Sequence, residues 1–205
     1  MNKKVLVVVL VLVLAVGSVF AAKSDMKVGA QLGYGGRSFI LNVNSSEAAY
    51  VNNGFYGAFT FEYGVTDAIS VKAEAGINTM GTTVVKMGSK PQTDPNGATP
   101  VNFALFVGAM YNYAINKEIT AYGGAGVDML IGYISTEKDS SNVAIGLGLE
   151  LGASYKINKQ ISVNVGGRFG WQFINTFDFH TGDASDKIKK NNLAYKAYAG
   201  VTYSL

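Results

Sequence analysis

Tyr63-Gly64-Val65-Thr66-Asp67-Ala68-Ile69-Ser70 is followed by two more copies of its own frame, Tyr113-Ala114-Ile115-Asn116-Lys117-Glu118-Ile119-Thr120 and Tyr155-Lys156-Ile157-Asn158-Lys159-Gln160-Ile161-Ser162. The frame is Tyr, a variable residue, Ile or Val, Asn or Thr, Asp or Lys, a variable residue, Ile, then a hydroxyl. Asn, Thr, Asp and Lys at its centre are turn residues. The flanking Tyr and Ile each end or begin an alternating run. Each copy therefore predicts a tight hairpin turn joining two long strands. The copies recur after 50 and then 42 residues, room for two strands and a loop at the far end. Tyr203 closes the chain where a further turn would begin. This is the period of an up-and-down β-barrel.

Outward from these turns, alternation predicts eight strands. The first starts near Met26, with Val28, Ala30, Leu32 and Tyr34 on one face and a change of phase expected at Gly35-Gly36. A polar loop, about 42–53, leads to the second, Phe55 to Val65. The third begins at Ile69, and the longest loop, about 80–100, holds all three prolines. The fourth and fifth strands flank the Tyr113 turn, and a short charged loop, 136–139, leads to the sixth. The seventh follows the Tyr155 turn, a fourth loop spans about 174–191, and the eighth ends the chain. Strands of about 9–11 residues with a period of two suit a membrane barrel. Dense glycine (25 residues) and the period of two argue against helices.

Composition agrees. Charged residues are 15% of the chain, against roughly 25% in a soluble domain. With no cysteine there is no disulfide framework, thiolate metal site or cysteine nucleophile. Residues 1–21 read as a cleaved secretory signal peptide: Lys3 and Lys4, an apolar core from Val5 to Phe20, and small residues Ala21 and Ala22. Cleavage after Ala21 leaves residues 22–205 as one barrel domain. Loss of Lys3 and Lys4 lowers Lys+Arg from 17 to 15 against 14 acids, so no basic surface for nucleic acid is expected.

The face of each strand follows from charge and volume. Glu62, Lys72, Glu74, Asp128, Glu150, Arg168 and Lys196 all have the parity opposite to the apolar residues. A charge facing lipid at mid-depth costs roughly 2–4 kcal/mol, so the charge-free apolar face points to lipid. The charged face, rich in Gly, Ala and Ser, suits the narrow interior of eight strands. Aromatics mark both ends: Tyr63, Tyr113, Tyr155 and Tyr203 at the turn end, and Tyr34, Phe55, Phe103, Tyr133, Trp171 and Tyr195 at the loop end. Two such belts place their polar tips at the headgroups.

These residues together resemble the small outer-membrane β-barrels of the OmpA, OmpX and opacity type over nearly the whole mature chain. The final strand, Gly200-Val201-Thr202-Tyr203-Ser204-Leu205, is similar to the C-terminal signal read by the barrel assembly machinery, with Gly200, Tyr203 and Leu205 at its positions. That signal usually ends on an aromatic residue, and here it ends on Leu205. The resemblance implies an all-β, eight-stranded antiparallel transmembrane barrel in the bacterial outer membrane, monomeric, with both termini in the periplasm.

The seven lumen charges form the main candidate constellation. Buried charges need partners, and pairing here produces either a salt-bridged plug or the charged constriction of a narrow pore. The small bore favours the plug, while the inward glycines keep the pore open as a reading. His180, the only histidine, lies in the fourth loop beside Asp178 and Asp183 and reads as solvated. The lipid A deacylases among eight-stranded relatives resemble one another in a His-x-Ser motif, whereas this chain has His180-Thr181-Gly182. No catalytic, metal or cofactor site is expected. Phe177, Phe179, Lys187, Lys189 and Lys190 in the fourth loop suit acidic glycans, lipopolysaccharide-like headgroups or a host or surface ligand. The functional expectation is a structural and surface-interaction protein, adhesin-like or defensive. A narrow porin-like channel for small polar solutes or ions is the alternative, and an apolar-solute channel of the OmpW type is weaker.

Overall fold

Each copy of the repeated frame closes its hairpin in the same way. Val65, Ile115 and Ile157 donate their backbone N–H to the carbonyls of Ile69, Ile119 and Ile161 at 2.8, 2.9 and 2.9 Å. The central polar side chain then accepts from the far side of the turn. Asn116 Oδ1 accepts from the N–H groups of Glu118 (2.8 Å) and Ile119 (2.7 Å). Asn158 Oδ1 does so from Gln160 and Ile161, both at 2.8 Å. Thr66 Oγ1 takes the same place, accepting from Ala68 at 3.3 Å and Ile69 at 2.9 Å. The side chain thus replaces backbone partners that a four-residue loop cannot supply.

The computed structural model describes residues 25–43, 46–87, 90–93, 101–134, 140–177 and 188–205. The expected signal peptide lies outside them, as do Asp178, Phe179, His180, Asp183 and Lys187. The elements are β1 (Met26–Val43), β2 (Ser46–Gly64), β3 (Ile69–Met87), β4 (Lys90–Thr93), β5 (Val101–Ala114), β6 (Ile119–Ile134), β7 (Ser140–Lys156), β8 (Ile161–Phe177) and β9 (Ile188–Ser204). Eight of them form an antiparallel ring in chain order, closed between β9 and β1. The short β4 pairs only with the loop-end extension of β3.

The strands run further toward the loop end than the alternation predicts. The loop expected at 42–53 is mostly β2, which pairs with β1 from Ser46 onward. The loop expected at 80–100 contains the end of β3 and all of β4. These segments mix polar and apolar residues without regular alternation, and a strand above the apolar band has no need to alternate. The expected phase change at Gly35-Gly36 does not occur against β2, where Gly35 faces Gly54 and Gly36 faces Asn53 in unbroken register. The irregularities fall between Ser38 and Ile40 and between Ile40 and Leu41 of β1 against β9, at Asn53–Gly54 of β2 and at Ile145–Gly146 of β7.

The faces are as predicted. Leu32, Phe55, Phe59, Leu105, Leu149, Leu151 and Phe169 are exposed, while Tyr56, Phe106, Met110 and Tyr198 are buried inside with the charged residues. Inward glycine makes this possible in so narrow a ring. A Cβ on Gly148 would lie 3.2 Å from Arg168 Cδ and 3.3 Å from Phe106 Cε2, so its absence leaves room for both.

Candidate functional site

The centre of the lumen is a knot of six charges. Glu74 comes from β3, Glu150 from β7, Asp128 from β6, Lys72 from β3, Arg168 from β8 and Lys196 from β9. Each is inward because its strand alternates; five are buried and Lys196 is partly buried. The Arg168 guanidinium grips Glu74 with two bonds, Nη1 to Oε1 and Nη2 to Oε2, both 2.8 Å. Its Nε donates to Glu150 Oε2 at 2.9 Å, and Nη2 also reaches that oxygen. Asp128 Oδ1 lies 3.6 Å from Nη1. Lys72 pairs with Glu150 and lies 3.8 Å from Glu74, and Lys196 pairs with Glu74.

A ring of neutral groups completes the knot. Tyr56 donates its hydroxyl to Glu74 and accepts from Lys196 Nζ at 2.7 Å. Tyr198 donates to Glu150 and meets the Tyr122 hydroxyl at 3.1 Å. The Gln31 amide, oriented to suit its neighbours, donates to Glu74 Oε2 and accepts from Lys72 Nζ, both at 3.2 Å. Phe106 lies under the Arg168 guanidinium, 3.6 Å from its ring centroid. Three acids and three bases balance, and the Glu74 and Glu150 carboxylates are each met by several donors, which helps make the burial of these charges tolerable.

The knot divides the lumen. Toward the turn end lies an open cavity of about 660 Å³, lined by groups that include Lys27, Glu62, Ser70, Lys72, Asn112 and Tyr122. Toward the loop end a small cavity of about 30 Å³ lies among Tyr56, Asn78, Asp128, Arg168 and Lys196. The paired charges lie between the two cavities, Lys72 lining the first and Asp128, Arg168 and Lys196 the second.

Glu62 is the sequence-predicted member that does not join the knot. It sits in the turn-end cavity and pairs with Lys27 on β1 at 3.2 Å, both partly exposed. Lys27 is not among the seven charges that the sequence analysis assigns to the lumen. Its alternation with Val28 was the available signal. The tyrosines 56, 122 and 198 and Gln31 were also missed as site residues, because a polar group on the inner face carries no sign of which charge it will meet.

Three of the four turn-end tyrosines, Tyr113, Tyr155 and Tyr203, are exposed on the outer face, whereas Tyr63 is only 3% exposed despite the same register. Tyr203 accepts at its hydroxyl from Gln160 Nε2 at 2.8 Å. At the loop end Tyr34 and Phe55 meet edge to face at 5.9 Å, and Trp171 and Phe173 at 6.2 Å. Tyr133 is placed on β6 opposite Val101. In the C-terminal segment Leu205 donates its N–H to the Met26 carbonyl at 2.8 Å, and a Cβ on Gly200 would lie 2.6 Å from the Ala30 carbonyl. These contacts fasten the last strand to the first. Of the loop candidates, Phe177 ends β8, and Lys189 and Lys190 lie at the start of β9.

The comparisons agree with this geometry. The family model described as outer membrane protein beta-barrel domain matches residues 7–204. No curated protein matches the sequence. Among solved structures the chain is similar to Neisserial surface protein A, with a TM-score of 0.62 and 16% identity over 90% of this chain and 100% of that one. It is similar to the outer membrane protein OprG of Pseudomonas aeruginosa, with a TM-score of 0.61 and 14% identity over 90% and 98% of the two chains. The outer membrane protein AlkL gives a TM-score of 0.57 and 14% identity over 90% and 92%. At these identities the likeness is one of fold. With the family model spanning the barrel and the ring closed at eight strands, the chain belongs to the outer membrane protein beta-barrel domain family and resides in the bacterial outer membrane.

Proposed function

We propose that this is a non-catalytic, non-conducting outer-membrane barrel, monomeric, that serves as a structural and surface-interaction protein through its loop end. The observation that carries the reading is the knot: the Arg168–Glu74 pair lies across the lumen, with Glu150, Lys72 and Lys196 filling the space beside it. A hydrated ion would have to displace buried, mutually paired charges to pass. With the lumen closed, the parts left to meet other molecules are the loop-end hairpins and the lipid-facing wall. Strands that run past the apolar band hold those hairpins clear of the headgroups. Neisserial surface protein A, similar in fold, is by its name a surface protein. Acidic glycans, lipopolysaccharide-like headgroups or a host ligand are the proposed partners of the loops, and the barrel assembly machinery the proposed reader of Gly200, Tyr203 and Leu205.

A narrow channel is the second reading, favoured by the cavity that reaches the knot from the turn end. Refolded mature protein in a planar bilayer separates the two. A silent bilayer is expected. A steady conductance whose ion selectivity changes in Arg168→Glu would replace the first reading by the second. The surface role is then tested with cells carrying a variant in which residues 178–187 are shortened. Retention on immobilised heparin, an acidic glycan, is expected to fall, and unchanged retention would remove the fourth loop from the proposal.

A further inference from the structure

The mouth of the lumen at the turn end is lined by charges that the knot does not use. The turn between β2 and β3 and the turn between β7 and β8 have four strands between them on either side, so they face each other across the mouth. The turn between β5 and β6 adjoins the second of these, and the Lys156 N–H donates to the Glu118 carbonyl at 2.8 Å. This geometry sorts the signs. Asp67 stands on the β2–β3 turn, and Asp25 lies beside it, its carbonyl accepting from the Gly64 N–H at 3.0 Å. On the opposite arc stand Lys117, Glu118, Lys156 and Lys159. All six are exposed and line the cavity of about 660 Å³. One arc thus carries two acids, and the other three lysines and one acid. Lys27 and Glu62, within the first arc, compensate each other at 3.2 Å. Among the described residues none of the six rim charges makes an ion pair.

We propose that this mouth binds a short zwitterionic peptide of two or three residues, its ammonium toward Asp25 and Asp67 and its carboxylate toward Lys117, Lys156 and Lys159. Short turns mark the periplasmic end of such barrels, so the peptide comes from the periplasm. The inference goes beyond the surface role of the loop end and does not depend on it. The planar-bilayer result leaves it standing either way.

A ligand of one sign is drawn to one arc and repelled by the other, whereas a ligand with opposite charges at its two ends is favoured by both. Length narrows the class. Strands about 4.8 Å apart and tilted by about 40° close a ring of eight roughly 16 Å across. Two or three extended residues span about 7–10 Å, and the aspartate and lysine side chains reach in from either wall to meet their ends. A free amino acid, with both charges on one carbon, is too short to use both arcs. The peptide groups between the ends meet the hydroxyls of Thr120 and Ser154, opposite each other on β6 and β7 and both lining the cavity. Such hydroxyls donate and accept, as a peptide group requires. Each exposed ion pair contributes little alone, but two held by one ligand act together.

The test uses the full mature chain refolded in lipid nanodiscs, with trialanine as the probe and the backbone amide shifts of Asp67 and Lys159 as the readout. Saturable shifts at both turns are expected, with a dissociation constant on the order of millimolar. N-Acetyltrialanine, which lacks the ammonium, and trialanine amide, which lacks the carboxylate, should each bind about fivefold more weakly. In the triple variant Lys117→Gln, Lys156→Gln and Lys159→Gln, amidation should no longer matter while acetylation still weakens binding. Asp25→Asn with Asp67→Asn should show the reverse. Lys159→Gln alone, with a smaller loss of the amidation effect, serves should the triple variant not refold. No saturable shift at tens of millimolar trialanine overturns the proposal. Equal affinity for N-acetyltrialanine would make the mouth an anion site, and equal affinity for trialanine amide a cation site, and either overturns the zwitterion. Capping effects that survive unchanged in both sets of variants would remove these residues as the partners.

Discussion

Arg168 and Glu74 are joined by two parallel hydrogen bonds of 2.8 Å although 94 residues separate them in the chain. They stand on β8 and β3, and the ring order places four steps between those strands in either direction. The pair is therefore diametric. It spans the lumen and ties opposite walls of the barrel together.

Removing Arg168 should leave Glu74 and Glu150 buried without their main partner. Arg168→Gln is expected to cost about 3–5 kcal/mol, read from the urea midpoint of protein refolded in lipid vesicles. Glu74→Gln combined with Arg168→Gln should cost less than Arg168→Gln alone, because the remaining charges balance again. A double variant as unstable as the sum of the two would count against the coupling.

The turn acceptors should matter beyond their size. Asn116→Ala and Asn158→Ala each lose an oxygen that accepts two backbone N–H bonds. Each is expected to destabilise by about 1 kcal/mol, while Asn116→Asp keeps the acceptor and should be close to neutral. Equal loss in Asn116→Asp and Asn116→Ala would show that the oxygen is not what closes the turn.

Leu149 is exposed on the outer face of β7, and Glu150 beside it belongs to the knot. Leu149→Lys should destabilise the refolded barrel by roughly 2–4 kcal/mol if that face meets the hydrocarbon core. Unchanged stability in vesicles would remove Leu149 from the lipid face.

Two glycines make a matched pair. A Cβ on inward Gly126 would lie 2.3 Å from the Val107 carbonyl and 2.4 Å from Gly108 Cα, backbone atoms that cannot step aside. A Cβ on outward Gly57 would meet nothing nearer than 3.5 Å. Gly126→Ala is expected to cost about 1–3 kcal/mol by overpacking, and Gly57→Ala to be tolerated. Similar midpoints for the two variants would mean that the inner wall yields more than its contacts suggest.

What the sequence determined by itself was everything that is local. The Tyr-to-Ile frame set three turns, because Thr66, Asn116 and Asn158 close them with bonds two and three residues away. A period of two set the strands, and the parity of Glu74, Glu150 and Arg168 set their side of the wall. Only the tertiary structure decided which inward groups meet. Ring closure and stagger bring Arg168 to Glu74 and leave Glu62 to Lys27, one layer nearer the turns. Tyr63 is buried while Tyr113 and Tyr155, identical in the repeat, stay exposed. Alternation records a face, which is a property of one strand. A contact across the lumen depends on the position of all eight.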